Sequence, residues 1–176
     1  ELSFAKGLSR DIDLARWFPD FAYDGVLSSM GGELVEAHQF RHKETNTTVF
    51  VLKGSQDRLV ILEAMTMWVE ALALTPISLV LPSNWTSNIL HTTSFVHDML
   101  PFGWITELDT IADGIQKYSK TTSSDIYLTG HGFGGGVAAI VGAKANIPTV
   151  VFSSPGSVYS RKKFDVRQYD LFRFVM

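Results

Sequence analysis

A chain of 176 residues has room for one domain with a full core and is short for two. With 45% hydrophobic and 19% charged residues it belongs with globular proteins, not with disordered tails or disulfide scaffolds. The net charge of -3 and a pI near 5.9 supply no long-range attraction to phosphate backbones, so no nucleic-acid partner is expected; the absence of cysteine excludes disulfides, thiolate zinc sites and a cysteine nucleophile.

The first residues, ELSFAKGLSRDIDLARW, lack the basic-then-apolar plan of a signal peptide, and a start at Glu1 reads as a processed or trimmed product. The first forty residues carry little pattern. Two sequons, at Asn46 and Asn84, point weakly to the secretory route. Residues 48–53 (TVFVLK) are apolar and β-branched and stop at Gly54, which predicts a buried strand. A connection of about forty residues follows. Its apolar stretch 59–81 is long enough to span a bilayer, but it carries Glu63 and Glu70, and Pro76 breaks the helix. It reads as a buried helix leading to an extended segment, or as a flap that lies on lipid or on a protein partner.

Trp104, Leu108, Ile111, Ile115 and Tyr118 recur at helical spacing, with Glu107 and Asp109 early and Lys117 and Lys120 late, so one face of a helix over 104–120 is core. Residues 125–129 (DIYLT) predict a strand that enters a glycine-rich turn, 130–136. A helix over 137–143, a strand over 148–152 and a last strand over 171–176 complete the order. Helices alternating with continuous apolar strands predict one α/β domain over 1–176, a mainly parallel sheet covered by helices on both faces. The basic run Arg161, Lys162, Lys163 reads as solvated surface.

The turn reads YLTGHGFGGGVAAIVG, and Gly130-His131-Gly132-Phe133-Gly134 satisfies the nucleophile-elbow pattern G-x-S-x-G everywhere except at the reacting serine. Three motifs together resemble the class 3, fungal-type triacylglycerol lipases, and among them the vacuolar lipase-like proteins linked to autophagic membrane breakdown. GHGFGGG (130–136) is similar to that family's GHSLGGA, VHDML (96–100) to its VHxGF, and VLKGS (51–55) to its strand ending in RGT or RGS. A weaker match, FSSPG (152–156), is similar to its F-x-S/A-P-G. Order and spacing agree over roughly 48–160.

The resemblance implies an α/β-hydrolase fold with its C-terminal part missing, and a lid-like insertion over 56–95. It gives Gly132 the nucleophile's position. Ser55 and the backbone N–H of Phe133 take the oxyanion-hole positions. Phe133 and Gly136 depart from the family's leucine and alanine. Catalysis is in doubt throughout. Gly132 has no oxygen to attack a carbonyl, and all five histidines (His38, His42, His91, His97, His131) precede it. Asp165 falls in a loop and Asp170 before the last predicted strand, so acid and base are expected beyond Met176. Loss of the nucleophile alone costs about a million-fold in turnover. The expectation is a pseudoenzyme that binds lipid, a membrane surface or a protein partner.

Two other readings stand beside it. One is an active triacylglycerol or phospholipid lipase in a disabled or trimmed form. The other takes Gly130-x-Gly132-x-x-Gly135 as a dinucleotide fingerprint. Against it, the next strand ends in Ser153-Ser154 with no acid for a ribose hydroxyl, which leaves an NADP variant using Ser154 and Arg161. His131 and His97 read as packed side chains, and no metal or cofactor is expected.

Overall fold

The computed structural model describes residues 18–26, 35–54, 82, 84–85, 88–89, 104–158, 161–162 and 164–174. Five strands form one sheet: β1 (Phe21–Val26), β2 (Val35–His42), β3 (Thr47–Gly54), β4 (Asp125–His131) and β5 (Thr149–Phe152), in that spatial order. Helices α1 (Trp104–Thr121), α2 (Gly132–Ala145) and α3 (Gln168–Phe174) accompany them. The chain is therefore an α/β protein.

The sheet is mixed, not mainly parallel. β1 with β2 and β2 with β3 are antiparallel, and only β3 with β4 and β4 with β5 are parallel. The difference arises in the first forty residues. VEAHQFRH carries no continuous apolar run: Val35 and Ala37 are buried and Glu36 is exposed, but Arg41 on the Val35 face is exposed and His38 on the Glu36 face is buried. The second correction concerns 171–176. Residues up to Phe174 belong to α3, where Leu171 reaches the core and Asp170 lies in the first turn, so 171–174 are helical and not a strand.

Register explains where the helices sit. Phe50 pairs with Leu128, and Leu128 with Thr149, so these side chains point to one face. On that face the α1 residue Tyr118 meets Phe50 edge-on at 5.3 Å and its hydroxyl accepts a hydrogen bond from Gln39 Nε2 at 3.0 Å. Leu108, Ile111 and Ile115 are fully buried there, as their spacing predicts. α2 lies on the same face, with Gly142 against Thr149. Every residue of α2 from Gly134 to Gly142 is buried, because the sheet, α1 and α3 all press on it. A helix apolar all round suits that place.

α1 and α2 thus share one face, where helices on both faces are expected from the sequence. The opposite face presents Tyr23, Phe40, Val49, Val51, Tyr127 and Val150, in which Tyr127 is 42% exposed. No described helix is long and apolar enough to cross a membrane.

Candidate functional site

β3, β4 and β5 are parallel, so their carboxyl ends share one edge of the sheet, and Gly54, His131 and Phe152 stand along it. The glycine-rich segment at this edge is not a separate turn. β4 ends at His131 and α2 begins at Gly132, so strand passes into helix with no residue between them. The reversal is taken at Gly132, whose φ of +57° lies in the left-handed region that glycine enters without penalty.

The glycines around it permit close approach. A Cβ on Gly130 would stand 2.4 Å from Gly134 O, and one on Gly134 would stand 2.2 Å from Leu52 O. Both contacts are with backbone, which cannot step aside. By contrast, nothing lies within 4 Å of a Cβ built on Gly132. The elbow thus points its one unoccupied side-chain direction into open space. A Cβ on Gly54 would meet the Phe133 ring at 2.6 Å, so the end of β3 abuts the elbow. Ser55 follows Gly54 in the chain but lies outside the described residues, as do His91, His97 and nearly all of 56–95, including 59–81.

His131 departs from the packed reading. It is exposed at the N-cap of α2, and its side chain makes no cap hydrogen bond. Arg161 departs from the solvated reading: it is 5% exposed, and its guanidinium donates to Val158 O at 2.5 Å and to Asn84 Oδ1 at 3.4 Å. Committed to those acceptors, it is not free to meet a 2′-phosphate. β5 gives way to Ser153 at φ +50° and Ser154, with no carboxylate at its end.

Of the two acids after the elbow, Asp170 is buried and accepts two hydrogen bonds from Arg167, at 2.7 and 2.9 Å. Those bonds and the Asp170 charge hold the Arg167 guanidinium above its ordinary value. Asp165 sits at φ +52°. Both line a cleft of about 450 Å³ with Asp109, Asp113 and Lys144, and neither Gly132 nor any histidine is in its lining. Among the described residues no group of acids and histidines is arranged to hold a metal ion.

A second polar cluster, on β1, β2 and β3, has no counterpart among the motifs. His38 is 7% exposed. Its Nδ1 lies 3.0 Å from the Tyr23 hydroxyl and its Nε2 lies 3.3 Å from Glu36 Oε2, which also accepts from Lys53 Nζ at 3.3 Å. Partial burial pushes the Glu36 carboxyl up, but the hydrogen bonds and charges of Lys53 and His38 together hold it below its ordinary value. The four residues come from three strands. Only cross-strand register unites them, and that register is invisible until β1 and β2 are known.

A strand-to-helix elbow at the carboxyl edge of a partly parallel sheet places this chain among the α/β proteins. No protein-family model matches this chain. Over 56 residues, 32% of its length, it is 39% identical to a protein of the yeast Vanderwaltozyma polyspora described as "Putative lipase ATG15". The match spans 9% of that protein's length.

Proposed function

We propose that this chain is a lipase-like α/β-hydrolase domain, similar to the class 3 lipases, whose nucleophile position is held by Gly132. On this reading it acts by binding lipid or a protein partner through the apolar stretch 59–81, not by turning over esters. The observation that carries it is the left-handed junction at Gly132, open on its side-chain side and abutting the end of β3. An elbow of this kind exists to present a reacting side chain, and glycine presents none. The partial likeness to a yeast protein described as a lipase supports the same ancestry.

The oxyanion donors belong to the proposal as well. The resemblance gives these positions to Ser55 and the N–H of Phe133, and Phe133 meets Gly54, the residue before Ser55 in the chain. Without a nucleophile such donors give at best about 10³ to 10⁴ over water. The test is release of fatty acid from a triacylglycerol emulsion and from phosphatidylcholine vesicles by the purified chain. No turnover is expected, together with vesicle binding that Leu72→Glu or Ile77→Glu weakens. Turnover that Ser55→Ala abolishes while Gly132 is untouched would overturn the proposal.

A further inference from the structure

Thr48 stands on β3 between Arg41 of β2 and Ile126 of β4 and is fully buried. Among the described residues, its Oγ1 is the only buried side-chain oxygen or nitrogen without a hydrogen-bond partner. A hydroxyl in that position costs folding free energy. Valine has nearly the same shape, suits a strand equally well and would remove the cost. The packing of the sheet therefore gives no reason for a hydroxyl here.

The sequence gives one. Thr48 is the third residue of Asn46-Thr47-Thr48, and transfer of an oligosaccharide to asparagine requires serine or threonine at that place. Asn46 ends the turn 43–46 between β2 and β3, exposed and at φ +50°, a left-handed conformation that asparagine tolerates. Its Oδ1 accepts from Ser124 Oγ at 3.1 Å and its Nδ2 donates to Ser123 O at 3.2 Å. Nδ2 carries two hydrogens, so one can be replaced while the other keeps its bond. A sugar on Nδ2 thus suits the folded turn, whereas the Thr48 hydroxyl is sealed inside the sheet.

We propose that Asn46 carries an N-linked oligosaccharide, attached before β3 enters the sheet, and that Thr48 keeps its unpaired hydroxyl for that step. The donor is an oligosaccharide linked to a lipid pyrophosphate, and a membrane-bound transferase acts on it. Asn46 Nδ2 bonds to the anomeric carbon of the sugar, and the bond from that carbon to the pyrophosphate oxygen breaks. The amide proton passes to a base of the transferase, and the lipid pyrophosphate leaves. Once β3 is paired with β2 and β4, the hydroxyl is out of reach and Asn46 is closed to modification.

The test secretes the full chain from yeast behind a cleavable leader and maps Asn46 by enzymatic glycan release in isotopically heavy water. Label at position 46 is expected with Thr48 and with Thr48→Ser, and its loss with Thr48→Val. The bacterially produced, sugar-free chain separates the two roles of the residue. There Thr48→Val should raise the folding equilibrium constant by about 5-fold or more in urea unfolding. Offered to detergent-solubilised microsomal transferase, the folded sugar-free chain should stay unmodified, while the peptide 44–53 cut from it by trypsin is glycosylated. A secreted chain bare at Asn46, a Thr48→Val chain less stable than the unsubstituted one, or a folded chain modified as fast as the peptide would each overturn the proposal. None of these outcomes depends on Gly132 or Ser55.

Discussion

Two glycines two residues apart do opposite jobs at the elbow. Gly132 is chosen by backbone conformation, with open space beyond it; Gly134 is chosen by contact, its α-carbon pressed against the β3 backbone at Leu52. Adding the same methyl group to each separates the two causes. Gly132→Ala should cost about 1–2 kcal/mol, the penalty of a Cβ in the left-handed region. Gly134→Ala must instead push α2 off β3 and should cost about 3 kcal/mol or more, at the upper end for overpacking. Urea unfolding of the two variants checks the order. Equal costs would mean that α2 does not rest on β3. Gly132→Ser should resemble Gly132→Ala in stability and, with no histidine after the elbow in this sequence, should not produce turnover.

At the scale of elements, α1 is attached by burial. Ile115 is fully buried against the sheet, while the Lys144–Asp109 pair joins α2 to α1 at the surface, with Asp109 half exposed. Ile115→Ala should cost about 2–5 kcal/mol. Lys144→Met should cost less than about 1 kcal/mol, and that little should shrink in high salt. Equal losses in thermal or urea unfolding would reverse this ranking. The same contrast explains what could be read in the chain. α1 is legible because its apolar residues recur every three or four positions, and β3, β4 and β5 because each is a short apolar run bounded by turn residues. The elbow is legible because glycine spacing reports backbone contact directly. β1 and β2 are not, since polar and charged residues fall on both faces of β2 and break any apolar run. The segment after 170 misleads because Leu171, Phe172, Phe174 and Val175 fit strand and helix alike, and packing of α3 against α2 settles the choice. The Tyr23–His38–Glu36 cluster is beyond reach for a different reason: contacts assembled by register have no linear signature.

Across the whole molecule, β1 and β2 hang on the antiparallel side of the sheet, beyond β3, and the bonds among Tyr23, His38, Glu36 and Lys53 tie all three strands together. That makes their attachment depend on pH in a direction the chemistry fixes. The Glu36 carboxyl titrates below its ordinary value of 4.5 in the folded protein, and near that value once unfolded. The folded state therefore binds this proton less readily than the unfolded state. Its contribution is fully present above about pH 4.5, and is lost as the pH falls through the lower, folded value. Because the Glu36 side chain is 53% exposed, solvent screens the pair and the contribution is at most about 1 kcal/mol. Glu36→Gln keeps the size and an acceptor oxygen but removes the charge. Urea unfolding of both proteins should show the unsubstituted chain more stable at pH 7, the gap narrowing on acidification and closing once Glu36 is protonated in both states. A gap that stayed constant with pH would assign the loss to packing. A gap that widened in acid would mean that the carboxyl is held above its ordinary range, with burial outweighing Lys53 and His38.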